Sequence, residues 1–185
     1  MRLMPAMLLG MLAGCATAPP GPVQPPPLTD PSLRMQLLES GNDLRGSAIR
    51  TFGEAALAEA RRGEFIVAKI YPGMRPPPPP GAGKDFRYPE PPTVLLVRSG
   101  GRWFRHTPAG GRVEVAADKA ATIEAVLNNP AMWNEPTWGG MAGCTDAAGS
   151  LLWIRYGNHA EQVRRGRCGG APWTERLIFA AVDAG

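Results

Sequence analysis

The apolar positions change period several times between Asp30 and the carboxy terminus, and each change marks an element. Asp30-Pro31 sets a capping side chain before a proline at the first helical position, and Leu33, Leu37 and Leu38 follow at helical spacing, which predicts a short helix. A second helix is predicted from Asp43 to Arg62. Leu44, Ile49, Phe52, Ala56, Leu57 and Ala60 form its stripe and Gly63 stops it, with Gly46 and Gly53 as weak points. Phe65 to Tyr71 is short, branched and aromatic, and Pro72-Gly73 ends it, the signature of a strand. Five prolines, Pro76 to Pro80, then open an exposed loop that reaches Pro92. Thr93 to Arg98 and Arg102 to His106, joined by Ser99-Gly100-Gly101, predict a hairpin, and Arg112 to Val115 a further strand.

Ala116 to Asn128 carries Ala120, Ile123, Val126 and Leu127 at helical spacing, with Asn129-Pro130 as its stop. An irregular stretch, Met132 to Gly143, holds Trp133 and Trp138; Leu151 to Tyr156 predicts a strand and Thr174 to Val182 a closing helix. Strands and helices do not alternate regularly, and no internal repeat is visible. The expected fold is therefore α+β, a small antiparallel sheet packed with helices, rather than a doubly wound one.

Composition changes this picture at one end. The 21 prolines and 23 glycines of the 185 residues are clustered, so order is expected to be uneven. Ala16 to Pro31 holds seven prolines and no periodic apolar face, so it is read as a flexible polyproline spacer able to hold a domain up to roughly 50 Å from an anchor. A proline-rich ligand for a recognition domain is the weaker alternative. Before the spacer, Arg2 precedes the apolar run Leu3 to Ala13, too short for a membrane span and of the length of an export signal.

That run ends in Leu12-Ala13-Gly14-Cys15, which resembles the lipobox of bacterial lipoproteins. The resemblance covers the first 15 residues only. It implies that residues 1–14 are removed, that Cys15 carries the lipid, and that the mature chain is attached to a membrane by two or more acyl chains, enough for stable anchoring. Ala16, in place of the aspartate that retains such proteins at the inner membrane, implies the outer membrane facing the periplasm. The expected organisation is a signal peptide over 1–14, a lipidated cysteine and Pro-rich linker over 15–31, and one domain over 32–185.

Setting Cys15 aside leaves Cys144 and Cys168, an even pair in an exported chain, and a disulfide between them is expected. Closing a loop of about 25 residues would contribute on the order of 3 kcal/mol. A redox-active pair usually needs a closer spacing such as CxxC. A metal site is not supported: His106 and His159 are the only histidines, and of possible near ligands only Glu161 follows one closely. Ser150, His159 and Asp146 fall in one short window, but no GxSxG elbow accompanies them, and Gly157-Asn158-His159 has the composition of a turn. Glu135 between Trp133 and Trp138, with Asp146 as a second carboxylate, invites a glycan-hydrolase reading. Tryptophans anchoring an irregular loop to the core are the plainer account. No phosphate-binding glycine loop is present, and no cofactor is expected.

The net charge is +4, carried by 17 arginines and three lysines against 16 carboxylates. Arg102, Arg105, Arg164 and Arg165 are the candidate anion-binding residues, since guanidinium groups grip phosphate and carboxylate bidentately. An exported chain excludes nucleic acid as partner and leaves lipopolysaccharide phosphates, peptidoglycan carboxylates or an acidic envelope protein; a solvated arginine-rich surface is the plain alternative. The reading from sequence is a lipid-anchored, non-enzymatic binding or structural module of the cell envelope. An envelope hydrolase acting on peptidoglycan or an ester, and an inhibitor of lysozymes, are the alternatives.

Overall fold

A computed structural model of the chain describes residues 21–184 apart from 72, 74–76, 82, 84, 90 and 140–148, and the side chain of 167. Among the described residues six strands form one sheet: β1 (Glu64–Tyr71), β2 (Thr93–Ser99), β3 (Arg102–His106), β4 (Arg112–Glu114), β5 (Gly149–Arg155) and β6 (Gln162–Arg167). Their order is β4-β3-β2-β1-β5-β6, and all neighbouring strands run antiparallel. The helices α1 (Pro31–Phe52), α2 (Glu54–Ala60), α3 (Ala117–Leu127), α4 (Pro130–Asn134) and α5 (Pro172–Asp183) cover it. This is the expected α+β class.

Side-chain alternation along the strands divides the core in two. Phe65, Val67, Leu95, Val97, Leu151 and Trp153 pack with Leu44, Ala48, Leu57 and Ala60 of α1 and α2. Ile66, Ala68, Val94, Leu96, Leu152 and Ile154 pack on the other face with α3, α4 and α5. Burial on both faces explains why the central strands are near-continuous apolar runs; each fully buried Leu, Ile or Phe contributes about 1.5–3 kcal/mol.

Three elements differ from the sequence expectation. One helix spans Pro31–Phe52 where two were predicted, and the break falls at Gly53, whose φ of 84° lies in the left-handed region. Asp30 caps it as expected, its carboxylate accepting from the Ser32 and Leu33 amides. Gly41 does not interrupt α1, because a Cβ there would meet a methyl carbon of Val163 at 3.1 Å; the glycine lets the helix lie close against β6. Asn129-Pro130, read as a stop, is also a start: the Asn129 side chain accepts from the Ala131 amide and Pro130 opens α4. β6 was not predicted, so β5 is not the only carboxy-terminal strand.

β6 would be a sheet edge, yet it is covered. Arg165 accepts from the Gly139 amide at 2.7 Å and donates to the Thr137 carbonyl at 2.7 Å. At the other end of the β5–β6 hairpin, Val23 donates to the Asn158 carbonyl at 2.8 Å and accepts from the Ala160 amide at 2.9 Å. The Pro-rich segment therefore lies against the domain from Val23 onward. The spacer of about 50 Å foreseen over 16–31 is shortened accordingly, since its second half is laid along the protein. Residues 1–20, including Cys15, lie outside the described residues.

Candidate functional site

Where the Pro-rich segment crosses the β5–β6 turn, it walls an open cleft of about 630 Å3, lined on the opposite side by Leu127, Asn128, Trp133, Asn134, Tyr156 and His159. The aromatic groups form a column. The His159 imidazole stacks on Trp133 with ring centres 3.7 Å apart and planes 4° from parallel. Tyr156 lies 6.5 Å from Trp133 and 6.4 Å from Trp103, again nearly parallel to the former. Each buried indole N–H is satisfied, Trp133 by the Leu127 carbonyl at 2.7 Å and Trp103 by Glu124 at 2.7 Å.

Glu124 is the electrostatic centre beneath this column. It accepts from Tyr156 at 2.6 Å and from Trp103, and the Arg98 guanidinium, itself paired to Glu64, lies 2.9 Å away. Burial opposes ionisation of Glu124, but the two hydrogen bonds and Arg98 outweigh it and hold the carboxyl below its ordinary value. Burial and then the Glu124 carboxylate push the Tyr156 phenol up to about 12. Burial and then the Arg164 charge keep the His159 imidazole below its ordinary value, which favours the neutral ring.

The residues singled out in the sequence do not converge. Asp146 lies outside the described residues. Ser150, the second residue of β5, is buried and donates to the Gly166 carbonyl at 3.2 Å, whereas His159 lies beyond the far end of that strand. Five residues of strand separate the two ends by about 17 Å, so Ser150 and His159 form no nucleophile–base pair. The carboxylate of Glu135 is also committed: it accepts from the Trp173 and Thr174 amides at 2.6 and 2.9 Å and from the Thr174 hydroxyl at 3.0 Å, and so caps the amino-terminal turn of α5. That is a structural role, and it removes the residue on which the glycan-hydrolase reading rested.

The four candidate arginines likewise do not make one anion site. β3 and β6 are four strand spacings apart, about 19 Å. Adjacent residues on a strand face opposite ways, so Arg102 and Arg105 are divided by the sheet, as are Arg164 and Arg165. Arg102 is paired to Glu114 at 3.0 Å and lies over Phe104. Arg105 is half-buried. Arg165 lies over Trp138, 4.4 Å from its ring centre. Arg164 is fully buried, which corrects its assignment as a surface contact. Its guanidinium donates to Thr174 Oγ1 at 3.0 Å, Gln162 Oε1 at 2.9 Å and the Met132 and Glu135 carbonyls at 2.7 and 2.9 Å. Burial lowers its pKa to about 10, against the opposing pull of Glu135.

Other polar groups are internal as well. Buried His106 accepts from Arg112 at 3.2 Å. Lys69 donates to Ser47 at 2.7 Å in a pair that looks like base and nucleophile, but both are buried beneath α1, out of reach of a substrate. Among the described residues no group of three or more His, Cys, Asp or Glu could hold a metal ion, and no helix is long and apolar enough to cross a membrane. Cys168 lies in the turn after β6, with φ 58°. Cys144 and Cys15 lie outside the described residues. The aromatic cleft, the buried Arg164 hub and the docked Pro-rich segment were not foreseen; stacked Trp133 and His159 are 26 residues apart and share no sequence motif.

No protein-family model matches this chain, and neither the curated proteins nor the solved structures contain a match to it.

Proposed function

We propose that the chain is an exported envelope protein, anchored through lipid on Cys15, whose domain binds a ring-bearing polar ligand without turning it over. The glycan of the cell wall is the ligand class favoured. One observation carries this reading: the cleft at Trp133, Tyr156 and His159 combines aromatic rings with the amides of Asn128, Asn134 and Asn158, and among the described residues none that lines it bears a carboxylate, thiol or aliphatic hydroxyl. Flat apolar surfaces flanked by amide donors and acceptors suit a sugar ring, and the volume lies in the range of ordinary ligand sites. Hydrolysis of a glycan or an ester would ask for paired carboxylates or an activated nucleophile, which this lining does not supply. The tether fits the same reading, because the segment that leads back to Cys15 forms one wall of the cleft and holds it near the membrane that bears the anchor. A disulfide joining Cys144 to Cys168 is part of the proposal and suits an oxidising compartment.

Cosedimentation of the purified chain with cell-wall sacculi tests the binding. The expected result is saturable binding, weakened about tenfold or more when His159 and Asn158 are replaced by alanine, with no soluble fragments released. Release of fragments, or binding indifferent to both substitutions, would overturn it.

A further inference from the structure

The chain leaves the domain at the pole that carries the β5–β6 turn, and arginines crowd the α2 side of that pole. Arg61 and Arg62 follow directly on α2, whose last residue is Ala60. Arg155 ends β5 and donates to the Arg61 carbonyl at 2.7 Å. Arg45 and Arg61 both lie over Trp153, at 5.0 and 5.6 Å from its ring centre, which holds their guanidinium groups spread. Arg102, at the start of β3, reaches the same side. The carboxylates here are Glu161, paired to Arg61 at 3.2 Å and to Arg45 at 3.9 Å, and Glu114, paired to Arg102. Glu59, one turn up α2, pairs with Arg112. Glu64 and Glu124 are turned to the opposite face, where they hold Arg98. Five arginines thus meet two carboxylates, and among the described residues neither Arg62 nor Arg155 has a carboxylate partner.

The tether fixes what this pole can meet. Pro22 and Gln24 line the same small cleft as Arg155 and His159. Seven residues connect Cys15 to Pro22, a reach of at most about 25 Å. We propose that the Arg61, Arg62 and Arg155 surface rests on the phosphates of anionic phospholipid headgroups in the leaflet that holds the anchor, so that the lipid tethers the domain and the arginines orient it. The proposal rests on the lipid-anchor reading. Arginine suits this role because its planar fork grips phosphate bidentately, and each basic residue near an anionic surface contributes roughly a fivefold factor in binding. The aromatic cleft lies on the α3 and α4 side of the Pro-rich segment, so a domain seated on these arginines keeps it open.

The chain from residue 15 onward, with Cys15→Ser so that no lipid is attached, is sedimented with vesicles of phosphatidylcholine alone and with added phosphatidylglycerol. Binding is expected only with phosphatidylglycerol, and to disappear in about 1 M salt, where the screening length falls to about 3 Å. Joint Arg61→Gln, Arg62→Gln and Arg155→Gln should lower it by about a hundredfold. The same positions changed to lysine should keep most of it. Arg34→Gln, Arg105→Gln and Arg176→Gln together remove equal charge elsewhere and should change it by no more than about twofold. Equal binding to both vesicles, or equal loss in both glutamine sets, overturns the proposal. Incorporation of labelled palmitate into the wild-type chain in cells, abolished by Cys15→Ser, reads the anchor separately. Missing label sinks the anchor and leaves the vesicle result standing, whereas label without vesicle selectivity sinks only the arginine surface.

Discussion

Glu135 and Arg164 form one polar unit inside an otherwise apolar face. Both meet at Thr174, whose hydroxyl donates to Glu135 and accepts from Arg164. Removing one member of such a unit leaves buried amides or a buried charge without partners, the costliest kind of single change. Glu135→Ala is therefore expected to destabilise the fold by about 2–4 kcal/mol in urea unfolding; a change below about 0.5 kcal/mol would mean that water replaces the carboxylate. The histidines set a pH dependence. Burial first, then a neighbouring arginine, lowers both His159 and His106 from the ordinary value of 6.5. The unfolded chain then binds more protons than the folded one just below that value. Their contribution is complete above about pH 6.5 and is lost as pH falls toward the depressed folded values. Unfolding midpoints between pH 8 and pH 5 should drop, and His159→Phe, which keeps a ring against Trp133, should shallow the slope. An unchanged slope would count against a depressed His159.

At the scale of elements, β6 shows why the sequence misleads. Gln162 to Arg167 offers one aliphatic side chain, Val163, so no alternation announces a strand. Its positions facing α4 and α5 are filled instead by Gln162, Arg164 and Gly166, and Arg164 is satisfied by Gln162 together with groups from α4, the following turn and α5. α4 was hidden for a different reason, since Asn129-Pro130 ends one helix and caps the next with the same residues. The edge segment that covers β6 is tightly fitted at Gly139, where a Cβ would lie 2.7 Å from the Ala171 amide nitrogen. Gly139→Ala should cost about 1–3 kcal/mol and expose β6 amides to hydrogen exchange. Gly149→Ala, where a Cβ meets nothing within 4 Å, is the control and should leave both readouts nearly unchanged. Similar effects at both positions would refute the close approach.

For the whole molecule, the docked Pro-rich segment couples anchor, cleft and domain. Val23→Pro deletes the amide that bonds to Asn158 and should release the segment, seen as faster proteolysis before Asp30 and weaker ligand binding in the cleft, while the unfolding free energy in urea changes by less than about 1 kcal/mol. Unaltered proteolysis would mean the contact is dispensable.

The sequence by itself determined the α+β class, the central strands, the clearest helix and the Asp30 cap, because these follow from local periodicity and capping chemistry. It also supplied the resemblance at Leu12 to Cys15, a signal confined to four adjacent residues. Only the tertiary structure decided that Glu135 caps a distant helix, that Arg164 is internal, that Ser150 and His159 sit at opposite ends of a strand, and that Trp133 meets His159. Those relations are set by strand order, side-chain parity and buried hydrogen bonds between residues far apart in the chain, and no local pattern encodes them.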